Sequence, residues 1–423
     1  MMPDLRFGCV ADDFTGASDI ASFFQRGGER CLLVNGRPEE GFHIGEGFGA
    51  AVVALKSRNA PAEEAVAETL RAFRWLAAEG AETLYFKYCS TFDSTPAGNI
   101  GPVLDAMLDE VDEPYTILCP ALPVNGRTVR YGRLYVNGVP LDRSPMRNHP
   151  LNPMWDSRIA ALMKPQSRYP CHVLDLDALR GPEERIRGLI DEWKRESRRF
   201  FVAVDYCEEE DGRRIASLFG GLRLLSGGSA LAAHLCGGNE AAGGTNGFGE
   251  HRNEAPALIL SGSCAEATVK QVAAFAGAGG IALRIRPLSL LNGGQTEEEV
   301  WRFVENHPRD DVLLYSTQPA GERQETDRVT QERISSVLEA LMADLARRAV
   351  AGGRRKLIVA GGETSGAVVR ALGWNAFRVG PCVSPGVPVM APVPLPDARV
   401  VLKSGNFGQE DFFLRAIESL RRG

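Results

Sequence analysis

Short apolar runs alternate with amphipathic stretches along the first third of the chain, and no other feature constrains the fold as tightly. Phe7, Cys9 and Val10 read as a buried strand, followed by an apolar helix running to Gly27–Gly28. Strand candidates follow at Cys31–Val34, Ala50–Leu55, Thr83–Tyr88 and Thr116–Cys119. Between them, Ala62–Gly80 reads as a helix with Ala65, Leu70, Phe73 and Leu76 available for burial, and another helix starts near Asn99. Such alternation implies a largely parallel sheet. It resumes with His172–Leu176, the charged helix Pro182–Glu196, Phe200–Val204 and Leu222–Leu225. A second series holds strands at Ala257–Leu260, Ile281–Ile285, Val312–Tyr315, Lys356–Ala360 and Val400–Lys403, with helices near Glu297–Asn306, Arg328–Val350 and Thr364–Leu372. The intervening residues 236–255 are dense in Gly and Asn with little to bury, which reads as a linker. At 423 residues the chain exceeds one typical core. The expectation is two α/β domains with largely parallel or mixed sheets, 1–235 and 256–423, and an active site in the cleft between them.

The first strand ends in two adjacent carboxylates, Asp12 and Asp13, before a helix. In open α/β sheets, ligands sit outside the carboxyl ends of the strands. Two acids there repel, so one pKa rises or a cation or hydrogen-bond donors must hold both charged. A single Asp is explained as a helix N-cap. The pair points to binding substrate hydroxyls and removing a proton from one, with Asp13 as the base and Asp12 as the alternative.

Residues 120–154 break the alternation. They are rich in Gly, Pro and Asn, with a hairpin-like middle at Arg133–Val136 followed by Asn137-Gly138. A loop this long in a compact domain is usually functional, and its aromatic and aliphatic residues mark it as a binding flap. Lys87, Ser90, Thr91, Asp93, Asn125, Arg127 and His149 lie at strand ends or on this flap. An anionic small molecule needs Arg or Lys for its carboxylate, and hydroxyl or amide groups for its hydroxyls. The acidic run Glu208–Asp211 reads as a solvated helix start.

Three glycine-rich junctions follow strands in the second half: Ser261-Gly262-Ser263, Gly361-Gly362-Glu363-Thr364-Ser365, and Ser404-Gly405-Asn406-Phe407-Gly408 after Lys403. Glycine lets backbone N–H groups approach phosphate oxygens, and a helix N-terminus adds free donors. Together they point to a nucleotide or phosphate site. Neither G-x-x-x-x-G-K-[ST] nor a βαβ-opening G-x-G-x-x-G is present, which excludes a P-loop enzyme and disfavours a dinucleotide oxidoreductase.

The balance of 48 Lys+Arg against 54 Asp+Glu gives a net charge of −6, which argues against a nucleic-acid binder. No apolar run reaches the roughly 18–20 residues of a membrane span, and the N-terminus has no signal-peptide profile. The nine scattered cysteines never form Cys-x-x-Cys, which fits reduced thiols in a cytoplasm. No metal site built on His or Cys suggests itself.

The segments ADDFTGA (11–17), KYCSTFDST (87–95), GNIGPV (98–103), NGRTV (125–129), SGSCAEAT (261–268), GGETSGAV (361–368), SPGVP (384–388) and KSGNFG (403–408) resemble the four-carbon acid sugar kinase family. HPLNPM (149–154) with GNIGPV is similar to its 3-oxo-tetronate kinase branch; sister branches act on D-threonate or D-erythronate. The resemblance implies an N-terminal acid-sugar domain, a C-terminal ATP domain, and transfer of the γ-phosphate to the 4-hydroxyl, with ATP and Mg²⁺ as cofactors. It places Ser261, Ser263, Gly361, Gly362, Glu363, Thr364 and Gly405 on ATP. Lys87 and Arg127 would hold the acid's carboxylate. The partner is a small sugar acid, with neither nucleic acid nor membrane involved, and a homodimer is compatible. The rivals are an NAD(P)-dependent sugar-acid dehydrogenase and a non-catalytic sugar-acid sensor.

Overall fold

Every residue of β1 (Phe7–Ala11) is buried, as a strand covered on both faces must be. In the computed structural model, which describes residues 5–149, 152–237, 248, 253–318 and 327–422, this strand lies mid-sheet. It leads through α1 (Phe14–Arg26) to β2 (Cys31–Asn35). Then come β3 (Ala50–Ala54), α2 (Ala62–Ala78), β4 (Thr83–Lys87) and α3 (Ile100–Val111). β5 (Tyr115–Leu118) precedes a small antiparallel sheet of β6 (Arg127–Arg130), β7 (Arg133–Val136) and β8 (Val139–Pro140). Asn137 and Gly138 both have positive φ, 50° and 78°, as the tight turn between β7 and β8 demands. The unit continues with α4 (Ile159–Met163), β9 (Cys171–Leu174), α5 (Leu176–Leu179), α6 (Glu183–Glu196) and β10 (Phe200–Val204). It closes with α7 (Glu209–Phe219), β11 (Leu224–Gly227) and α8 (Ala230–Leu235).

The strands order β11-β4-β1-β3-β2, all parallel. The chain leaves β1 toward β2 on one side and crosses back from β3 to β4 on the other. The direction therefore reverses at β1, where open α/β sheets bind ligands. A second parallel sheet, β5-β10-β9, abuts β11 along a seam. Within it, the Thr116 hydroxyl donates to Leu224 O and the Ser226 hydroxyl to Ile117 O, both at 2.8 Å. Backbone bonds appear only near its end, from Cys119 N to Ser226 O (3.2 Å) and from Gly228 N to Cys119 O (2.9 Å).

The segment expected to be a binding flap is tied into the first unit. The β6–β7 turn is clamped by the buried Asp205, whose carboxylate accepts from the amides of Tyr131, Gly132 and Leu176. Val129 exchanges backbone bonds with Tyr206, and Leu134 N donates to Ser157 O. These bonds anchor the small sheet to Asp205, Tyr206 and Ser157. The acidic run 208–211 is also only partly solvated. Asp211 is buried, forks onto Arg180 at 2.7 and 3.0 Å, and accepts from the amides of Cys207 and Glu208 as half of a capping box.

The chain divides into two compact units, Met1–Thr245 and Asn246–Gly423. Most of the expected linker 236–255 lies outside the described residues. At its edges, Cys236 is buried with its thiol 3.1 Å from Ala232 O, and Asn253 N donates to Arg421 O.

The second unit runs β12 (Ala257–Ser261), α9 (Glu266–Gly277), β13 (Ile281–Arg284), α10 (Pro287–Leu291), α11 (Glu297–Glu305), β14 (Val312–Tyr315) and α12 (Arg328–Ala351). It ends with β15 (Lys356–Ala360), α13 (Gly362–Leu372), β16 (Ala376–Ser384), β17 (Val387–Pro392), β18 (Arg399–Lys403) and α14 (Phe412–Arg422). The order β16-β17-β18-β15-β12-β14-β13 is parallel from β18 to β13 and antiparallel across β16, β17 and β18. Ile259, Ile358, Val389 and Val401 pack with Phe412, Phe413 and Ile417 of α14 in its core. Chain direction reverses here at β12, beside β15. The nine cysteines are free thiols, and among the described residues no helix is long and apolar enough to cross a membrane.

Candidate active site

In the first unit, the carboxyl ends of three neighbouring strands converge on the acidic pair. Asp12 N donates to Lys87 O (3.1 Å), and Asp12 O accepts from the amides of Ser57 and Arg58 (3.0 and 3.2 Å). This brings the residues after β4, β1 and β3 side by side. Arg58 supplies the cation the carboxylates require. Its Nε lies 2.9 Å from Asp12 Oδ2 and its Nη2 2.7 Å from Oδ1, while Nη2 also reaches Asp13 Oδ1 at 2.9 Å. Asp13 is the N-cap of α1, its Oδ1 accepting from Gly16 N at 2.7 Å. Both anchors fall on Oδ1. Burial pushes the Asp12 carboxyl up, opposed by Arg58. Burial lowers Arg58, but the two carboxylates outweigh it and keep the guanidinium firmly charged.

Sequence reasoning missed Arg58. It lies four residues beyond β3, as Asp12 and Asp13 lie just beyond β1, but only the pairing of β1 with β3 shows that the two strand ends adjoin. Asn99 fixes its backbone, with Nδ2 donating to the carbonyls of Ser57 (2.7 Å), Ala60 (2.9 Å) and Arg58 (3.2 Å). Asp19 was also missed. It is buried on α1, accepts from the Ser229 hydroxyl on Oδ2, and keeps a buried Oδ1 without a partner among the described residues. Burial raises its pKa, with Lys87 opposing.

Lys87 is buried, donates to Tyr88 O at 2.8 Å, and exerts its charge on Asp12 and Asp19. It therefore compensates carboxylates of the protein. Ser90, Thr91 and Asp93 form the loop after β4, where the Thr91 hydroxyl donates to Asp93 Oδ1 at 2.6 Å and lies 2.8 Å from Cys89 Sγ. Arg58 acts on Cys89, so this loop borders the cluster. His149 Nδ1 accepts from Asn152 N (3.0 Å), and Asn152 Nδ2 donates to Asn59 Oδ1 (3.0 Å), one residue from Arg58. Asn125 and Arg127 lie on the turn after β5. Arg127 donates to Asn125 O, and its Nε is buried with no partner among the described residues. Among the described residues no hydrogen bond ties this turn to Asp13.

In the second unit the three glycine junctions come together at the carboxyl ends of adjacent strands β12, β15 and β18. Gly262 N and Ser263 N donate to Ala360 O at 3.0 and 3.2 Å, and Gly361 N donates to Lys403 O at 2.9 Å. Gly361 is the N-cap of α13 at φ 125°, which L side chains rarely adopt, and it offers no side-chain cap. The first amides of α13 thus stay open to an anion. A Cβ on Gly405 would fall 2.5 Å from Ser263 Oγ and 2.7 Å from Ala265 Cβ, so the junctions touch. Ser261 is buried against Thr317 (2.8 Å), whereas Gly362 and Glu363 are exposed on the first turn of α13. Thr364 and Ser365 are buried, and the Ser365 hydroxyl has no partner among the described residues.

A family model described as a sugar-binding N-terminal domain matches residues 7–235, and one described as a nucleotide-binding C-terminal domain matches residues 258–413. The chain belongs to the four-carbon acid sugar kinase family. Relatives within this family include the 3-oxo-tetronate kinase of Cupriavidus necator, 41% identical and covering 98% of this chain and 96% of its own. That of Pseudomonas savastanoi pv. phaseolicola is 39% identical over 98% and 97%. Among solved structures, a Salmonella typhimurium LT2 protein described as a tRNA synthase superposes with a TM-score of 0.87 at 37% identity over 97% of this chain and 98% of that one. A Haemophilus influenzae protein gives 0.84 at 35%, over 98% and 100%.

Proposed function

We propose that the protein is an ATP-dependent kinase that phosphorylates the 4-hydroxyl of a four-carbon sugar acid, 3-oxo-tetronate first, with D-threonate or D-erythronate as the alternative. Full-length relatives bearing the 3-oxo-tetronate kinase name carry the substrate assignment. The geometry of Asp13 supports the chemistry: one oxygen anchored by Gly16 and Arg58, the other presented.

In this reading the first unit grips the acid and the second the nucleotide. Phosphoryl transfer needs alignment and charge neutralisation more than covalent help. Asp13 Oδ2 takes the proton as the O4–H bond breaks and O4 bonds the γ-phosphorus; the bond to the β–γ bridging oxygen breaks and ADP leaves. Asp12 and Arg58 hold Asp13 in place, and Arg127, with its unpartnered Nε, takes the carboxylate. The open amides of α13 and the Ser365 hydroxyl suit phosphate oxygens.

Among the described residues no group of three His, Cys, Asp or Glu could hold a metal ion. Mg²⁺ commonly binds through one or two carboxylates plus substrate phosphates, which the exposed Glu363 fits. Bound there, the ion would neutralise phosphate charge.

A coupled ADP-release assay across 3-oxo-tetronate, D-threonate and D-erythronate tests this. The expected outcome is acid-dependent ADP release, greatest with 3-oxo-tetronate. Binding of the acid without ADP release would return the sensor reading.

A further inference from the structure

Between β18 and α14 the backbone of residues 404–409 is gripped from behind by three side chains. Lys403 Nζ donates to the carbonyls of Ser404 and Gly405, both at 3.1 Å, and to the Thr268 hydroxyl at 3.0 Å. Thr268 passes its own hydrogen to Gly405 O at 2.7 Å. Gln271 Nε2 lies 3.0 Å from each of the carbonyls of Phe407, Gly408 and Gln409. All three side chains are buried, and Gln271 Oε1 has no partner among the described residues. Five of the six carbonyls in the loop are thereby drawn into the protein. The amides of Gly405 and Asn406 are left without an acceptor among the described residues, and Asn406 is exposed.

An ammonium buried without a carboxylate is costly, and here it is spent on neutral carbonyls. No titratable group on β15, β17, α13 or α14 contributes to its state; burial alone lowers the Lys403 pKa to about 8. The Phe412 ring, 5.6 Å away, is its other neighbour. Drawing successive carbonyls to one side turns the intervening amides to the other, the concave arrangement that binds anions.

We propose that Lys403, Thr268 and Gln271 are positioning residues that hold the 404–409 loop with its carbonyls turned inward and its Gly405 and Asn406 amides presented to the phosphates of the nucleotide. This deepens the kinase reading and rests on it.

The test compares full-length wild type with Lys403→Met, Lys403→Arg and Gln271→Leu, following KM for ATP, KM for the acid, ADP affinity by calorimetry, and Tm. Lys403→Met and Gln271→Leu are expected to raise the ATP KM and the ADP Kd about ten- to hundredfold, while the acid KM moves less than about twofold. Lys403→Arg, which keeps the charge, recovers part of the loss. Wild-type ADP affinity falls between about pH 7 and 9 as Lys403 loses its proton, and that fall is absent in Lys403→Arg. Unchanged nucleotide affinity in folded Lys403→Met and Gln271→Leu would overturn the proposal. So would a Tm loss that raises both KM values equally, which is what a merely structural role produces. Wild type that binds no ADP and releases none would instead defeat the nucleotide reading beneath it.

Discussion

The Arg58 guanidinium forks onto Asp12 through Nε (2.9 Å) and Nη2 (2.7 Å) and reaches Asp13 through the same Nη2 (2.9 Å), so one cation serves both acids of the pair. The Asp12 side chain is 7% exposed and that of Arg58 20%. Removing one partner of such a pair strands a buried charge, at a cost of about 3–5 kcal/mol. Arg58→Met should therefore lower Tm by several degrees and cut kcat. Arg58→Lys, which cannot form the fork, should recover little of either. Thermal melts and ADP release check both; an unshifted Tm in Arg58→Met contradicts the fork.

Asp13 has two separable jobs. Asn caps helices as well as Asp does but gives up the charge facing Arg58, so Asp13→Asn should lower stability by about 1 kcal/mol or less. As the proton acceptor is lost, kcat should fall about 10²-fold or more with ADP affinity unchanged. Turnover at the wild-type rate would remove Asp13 from the base role.

Gly405 leaves no room for a side chain beside Ser263 and Ala265. Gly405→Val should weaken ADP binding by at least about tenfold while the acid KM holds. Calorimetry with ADP and steady-state kinetics for the acid separate the two. A shift confined to the acid KM would reverse the assignment of ligands to units.

The buried Asp211 supplies a pH test away from both ligands. Burial raises its pKa, but the Arg180 fork and the amides of Cys207 and Glu208 outweigh that and hold it below the usual carboxylate range. Its stabilising contribution is therefore complete above the unfolded value of about 3.9 and is lost as pH falls through the lower folded value. Asp211→Asn should cost about 1–2 kcal/mol at pH 7, discounted because the Arg180 side chain is 48% exposed. The gap to wild type should close under acid; denaturant melts at pH 7 and pH 3 read it directly.

Strands and helices were legible where local pattern and tertiary demand agree: Lys356–Ala360 and Val312–Tyr315 hold as read. The β16–β17 hairpin was not. Pro381, Pro385, Pro388 and Pro392 argue against strands, and the pairing tolerates them through register shifts between Val379 and Cys382 and between Cys382 and Ser384. Arg58 was invisible for another reason. In sequence it is one more loop cation, and only the parallel register that sets Ala11 beside Ala54 delivers it to Asp12. The three glycine junctions could be read because each follows its own strand; their adjacency came from the order β18-β15-β12.

Along the seam between β5 and β11, backbone rungs occur only at the rim, from Cys119 to Ser226 and Gly228. The next residue, Ser229, donates its hydroxyl to Asp19 on the helix that Asp13 caps. Residues 226–229 therefore join the end of β5 to the helix that Asp13 caps.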